Sequence, residues 1–135
     1  MSPAPVRRLL LGLATAILAA ACGDERDLAV SGPTSSAGIV VESAELETIG
    51  IELVCEVHGR VRNETTRNQR VTVAFRAFDR DGAVVGTAVV ERRFVPAGGR
   101  SSYEADFHNF SDDGFLNDCD RIHRFEVASI EARPA

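Results

Sequence analysis

The chain has 135 residues, enough for one domain, with 15 basic and 20 acidic side chains and a formal net charge of −5. The acidic surplus argues against nucleic acid or anionic lipid headgroups as partners. Every basic residue is arginine, a bias that reads as genome composition rather than function.

From the N-terminus, Arg7 and Arg8 precede an apolar run, Leu9 to Leu18, that leads into Ala19-Ala20-Ala21-Cys22. Arginines ahead of such a run hold its start on the cytoplasmic side, and the run is too short to span a bilayer permanently. An ordinary signal peptide can end in small residues as this one does; a cysteine placed directly after them makes the stretch resemble a bacterial lipobox. Residues 1–21 are therefore expected to be a lipoprotein signal peptide, with Cys22 the lipidated first residue of the mature chain. Two or three acyl chains at that residue, each contributing about 0.8 kcal/mol per buried CH₂, give stable attachment to a membrane. The residue after Cys22 is Gly23, not the aspartate that retains some lipoproteins at the inner membrane. The expected location is thus the bacterial envelope, in the periplasmic leaflet of the outer membrane where there are two membranes. Removal of residues 1–21 takes two arginines with it, leaving 13 basic and 20 acidic side chains.

Residues 22–38 have a tether's composition, small and polar with one proline, and cannot bury enough apolar area to order themselves. With Cys22 assigned to lipid, Cys55 and Cys119 are left as an even pair in an oxidising compartment, which reads as a disulfide. Closing so long a loop is expected to contribute about 4 kcal/mol.

Residues 39–135 form the expected domain, and period-two alternation dominates it. Ile39 to Glu47 reads as a first strand. Ile49, Ile51, Leu53, Cys55, Val57 and Val61 then alternate with Glu52, Glu56, His58, Arg60 and Arg62, predicting one long strand with an apolar and a charged face. Turn formers at 62–68 separate it from Val71, Val73, Phe75 and Ala77, a further inward set that ends at Asp79-Arg80-Asp81-Gly82. That ending predicts a tight turn whose aspartates cap their own backbone. A strand returns over Val84 to Val95 with Ala88, Val90 and Phe94 on one face and Arg92 opposite. Pro96 to Gly99 is another turn, after which Tyr103, Ala105 and Phe107 alternate with polar residues. Residues 109–121 read as a polar loop holding Cys119, and Ile122 to Ala132 as the last strand. Six or seven short strands with frequent turns predict an all-β chain folded as an immunoglobulin-like antiparallel β-sandwich.

Two stretches carry a family resemblance. Gly59, Val61 and Asn63 match a Gly-x-Val-x-Asn start, and Phe75-Arg76-Ala77-Phe78-Asp79 stands where Phe-x-Leu-Tyr-Asp is found in the FxLYD domain family. Pro96-Ala97-Gly98-Gly99 approximates that family's later Pro-Gly turn. Over roughly residues 39 to 132 the chain resembles this family, with Ala77 in place of leucine and Phe78 in place of tyrosine. The resemblance implies an immunoglobulin-like sandwich in an envelope protein and supplies no catalytic residue.

The candidate chemistry is sparse. Asp112, Asp113, Asn117, Asp118 and Asp120 crowd the loop around Cys119, and oxygen-rich loops bind Ca²⁺, yet their spacing is not that of a calcium hand. His58 and His108 are both expected to point outward; on neighbouring strands they would offer zinc or copper a site with Glu56 or Asp106. Serines and histidines can be combined on paper, but no nucleophile turn frames them. The expectation is a non-enzymatic binding or accessory module without cofactors, attached to the membrane by its lipid and engaging an envelope protein through strand edges or the outward row on 52–62. A metal-binding envelope protein is the alternative.

Overall fold

The computed structural model describes residues 34–112 and 114–135. The expected signal peptide, Cys22, most of the expected tether and Asp113 lie outside the described residues. Among the described residues, eight strands run in chain order as β1 (Ser35–Ser36), β2 (Ile39–Ile49), β3 (Val54–Asn63), β4 (Gln69–Phe78), β5 (Val84–Val95), β6 (Arg100–Asp106), β7 (His108–Asn109) and β8 (Arg124–Pro134), with a 3-10 turn at Cys119–Arg121. They form two antiparallel four-stranded sheets, ordered β1-β2-β3-β6 and β7-β5-β4-β8. The protein is an all-β sandwich. β3 lies beside β6 and β4 beside β8, the adjacencies of strands B–E and C–F in an immunoglobulin-like sandwich.

The inner faces come from the alternation. Val57 and Val61 of β3, Val71, Val73, Phe75 and Ala77 of β4, and Phe125 and Val127 of β8 are all buried between the sheets. Phe75 stacks against Tyr103 of the opposite sheet with ring centroids 5.8 Å apart, and meets Phe125 at 6.3 Å. At one end of the sandwich a disulfide joins Cys55, near the start of β3, to Cys119 ahead of β8. It staples one sheet to the approach of the other.

Four expectations change. The long strand predicted across Ile49 to Val61 is a hairpin: Gly50, in the left-handed region, turns the chain, and Leu53 N–H bonds back to the Gly50 carbonyl. Ile51 is therefore fully exposed and Leu53 largely so. On β5, Val95 rather than Phe94 is buried, because an extra residue at Glu91-Arg92 opposite Val71–Val73 reverses the facing of the rest of the strand. Arg92 takes a positive φ of 49° at that bulge. Residues 109–121 are less polar than their composition suggests: Leu116 is wholly buried and bonds through its N–H to the Phe107 carbonyl. Finally, residues 34–38 are not tether, since β1 pairs with β2 and the Thr34 carbonyl accepts from Val41 N–H.

Candidate functional site

The family-motif residues fall at positions that build the fold. Gly59 leaves the space that lets Tyr103 reach the Ser43 carbonyl; a Cβ there would stand 2.0 Å from that oxygen and 2.8 Å from the tyrosine hydroxyl. Asn63 is completely buried and fully used. Its amide donates to the Arg67 and Val95 carbonyls, and its side-chain oxygen accepts from the Thr65 backbone and hydroxyl. Asp79 accepts from Asp81 and Ala83 N–H, capping the β4–β5 turn through the backbone as its sequence implies. Phe75 and Ala77 are core, and Phe78 lies under the Arg124 guanidinium, 4.0 Å from its ring centre.

Two carboxylates of the acidic loop, Asp112 and Asp118, accept from the loop's own backbone N–H groups. Asp112 accepts from Gly114 N–H and the Asn109 amide, and these bonds hold its carboxyl below the usual range. Asp118 caps the 3-10 turn by accepting from Asp120 N–H. The two outward histidines also part company. His58 lies on β3, whereas His108 lies on β7 of the other sheet with its ring 4.8 Å from Phe115. The sequence lets the two histidines meet only if their strands are neighbours, and β3 and β7 lie in different sheets.

The neighbourhood of His58 is set by register. On the outer face of β2-β3-β6, Glu47, Glu56 and Asp106 form one rung, and Glu45, His58 and Glu104 form the next. The side chains of directly opposed residues share a face, as do those two apart along a strand, so all six crowd together. A third rung carries Ser43, Arg60 and Ser102. Further along, the extra residue in β2, Glu42, receives both Arg62 and Arg100, and Arg62 also bonds Glu64 at 2.7 Å. One end of the face is a neutralised ion-pair network. The other is strongly acidic around one imidazole.

Within the acidic end, His58 Nε2 is 3.3 Å from Glu47 Oε1, and single ligand atoms of Glu47, Glu56 and His58 all lie within 4.8 Å of one another. Half-buried Glu56 has its carboxyl pushed up, first by burial and then by the Glu104 charge, against an opposing pull from His58. The three line an open surface depression of about 480 Å³ together with Glu45, Tyr103 and Glu104. Glu56 beside His58 is readable from the sequence; Glu47 is not, because β2 and β3 have to be recognised as a hairpin before their pairing can be read.

The second sheet offers a different feature. β8 is its last strand: eleven residues long, it pairs along β4, and among the described residues no strand pairs with its other side. Among the described residues, no helix is long and apolar enough to cross a membrane.

No family model matches the sequence, and no curated protein matches it. A solved structure, the β-glucosidase DesR from Streptomyces venezuelae in complex with D-glucose, is similar at a TM-score of 0.39 and 12% identity over 72% of this chain. The chain spans 15% of that enzyme's chain, and a likeness this remote says nothing of activity here.

Proposed function

We propose that the protein is a lipid-anchored module of the bacterial envelope that binds a protein partner and does no chemistry itself. The observation that carries this reading is the edge of β8, with which, among the described residues, no second strand pairs. An eleven-residue edge strand presents backbone N–H and C=O groups on the side away from β4, the substrate of strand addition. Its outward residues Arg124, Glu126, Glu131 and Arg133 are charged, which guards such an edge against indiscriminate pairing while leaving it available to a complementary strand. The Cys55–Cys119 disulfide supports the reading by tying the approach to β8 back to β3. Further support comes from the sequence, in the lipobox ending at Cys22 and in the resemblance to FxLYD domains.

The test is a crosslinked pull-down of the full-length lipoprotein from its native envelope, identified by mass spectrometry. A stoichiometric envelope protein is the expected result; recovery of the bait alone, with lipidation intact, overturns the reading. Anchoring has its own control: Cys22→Ala should move the protein from the membrane fraction to the soluble one, and retention in the membrane refutes the lipid assignment.

A further inference from the structure

The geometry points to a divalent transition-metal site formed by His58, Glu47 and Glu56 on the outer face of β2-β3-β6. This inference is independent of the β8 edge and concerns the other sheet.

The first ground is coordination reach. Ligand atoms at about 2.1 Å from a common ion stand about 3 Å apart when adjacent and about 4.2 Å when opposed. The nitrogen and the two carboxylate oxygens already lie within 4.8 Å of one another, so small side-chain rotations close the set. The three side chains are held to this arrangement by strand pairing, with Glu47 opposite Glu56 and His58 two residues along the same strand.

The second ground is the way this face treats charge. At its far end the sheet neutralises Glu42 with two arginines. In the two rungs around His58, five carboxylates (Glu45, Glu47, Glu56, Glu104 and Asp106) surround a single imidazole, although like charges directly opposed across strands are destabilising. A bound cation removes that repulsion. The depression beside Tyr103 gives the ion a recess on the sheet surface.

Ligand chemistry selects the ion class. An imidazole nitrogen with two carboxylates suits zinc and its first-row neighbours, whereas calcium prefers six to eight oxygens. Three protein ligands leave at least one position for water or for a side chain from outside.

The experiment is calorimetric titration of Zn²⁺, and separately Ca²⁺, into the full chain in mild detergent, paired with thermal melts. One Zn²⁺ per chain with a raised melting temperature is expected, together with at least a tenfold loss of affinity in His58→Ala and in Glu47→Gln. Asp112→Asn, in the loop near Cys119, should bind as the parent does. Co²⁺ loaded in place of Zn²⁺ should show a visible absorption band that His58→Ala abolishes. Zn²⁺ binding unchanged in His58→Ala, binding lost in Asp112→Asn, equal and histidine-independent affinity for Ca²⁺, or no saturable binding each overturns the site.

Discussion

Tyr103 reaches over Gly59 to donate a 2.6 Å hydrogen bond to the Ser43 carbonyl, tying β6 to β2 across the strand that separates them. The bond meets β2 next to its extra residue, Glu42, where the regular ladder to β3 is interrupted. Burial drives the phenol's pKa well upward, so the hydroxyl keeps its proton and remains a donor throughout the working pH range.

Gly59→Ala should therefore be among the most damaging single changes in the domain. The added methyl meets the Ser43 oxygen at 2.0 Å, and backbone rather than a flexible side chain has to give way. A loss of about 3 kcal/mol or more is expected. Tyr103→Phe, which removes the hydroxyl alone, should cost about 1 kcal/mol. Urea unfolding of both variants checks the order; Gly59→Ala as stable as the parent would contradict the packing.

Asn63 makes a sharper test of buried polar pairing, because its amide faces two carbonyls and its oxygen faces two donors. Asn63→Ala removes all four bonds, although the Thr65 hydroxyl still donates to the Arg67 carbonyl, and should cost about 2–3 kcal/mol. Asn63→Asp should be worse, since it points a second acceptor at the Arg67 and Val95 carbonyls while keeping the bonds from Thr65. A denaturation series in which the aspartate variant outlasts the alanine variant would refute the assignment.

The disulfide should govern thermal stability. Cys55 and Cys119 are 64 residues apart in sequence, and closing a loop of that length contributes about 4 kcal/mol by chain entropy. Thiol titration should find neither cysteine free before reduction and both free after it, with a large fall in melting temperature. Two reactive thiols in the unreduced protein would exclude the bond.

Glu56 gives stability a pH dependence whose sign can be worked out. Burial and the Glu104 charge raise its folded pKa, so the folded state holds this proton more tightly than the unfolded one. Stability from this group then falls as pH rises from the ordinary glutamate value through the raised folded value, and the penalty is complete above it. Glu56→Gln removes the penalty and should stabilise the metal-free protein at neutral pH by less than about 1 kcal/mol, the group being largely screened by solvent. The gain should vanish below about pH 4, where both states are protonated. A Gln variant less stable than the parent at neutral pH, with metal removed, would contradict the sign.

Much of this architecture is legible because alternation survives wherever a strand has one wet face. Spacing alone places Val71, Val73, Phe75 and Ala77 inward, and they are all buried. Cys55 and Cys119 can be paired by elimination. The sandwich comes from strand number and turns.

Changes of phase are what the sequence hides. Ile49, Ile51 and Leu53 continue the alternation of β3 by coincidence, so the β2–β3 turn sits inside a perfect pattern; Gly50 is its one local signal. On β5 the bulge at Arg92 carries no glycine to announce it, and so Phe94 and Val95 exchange faces. The acidic site depends on the same concealed turn. Glu56 and His58 are close in sequence, but Glu47 joins them only through cross-strand register, which alternation within a single strand does not encode.

The most direct measurement of the central claim is a photocrosslinking scan in the native envelope. A photoreactive residue is placed in turn at Ser129 and Glu131 of β8, and at Glu104 on the opposite sheet as a reference. A binding module that works through the β8 edge should crosslink to one envelope protein from both β8 positions and not from Glu104. Crosslinks from Glu104 alone, or none from β8 with the anchored protein present, would contradict it.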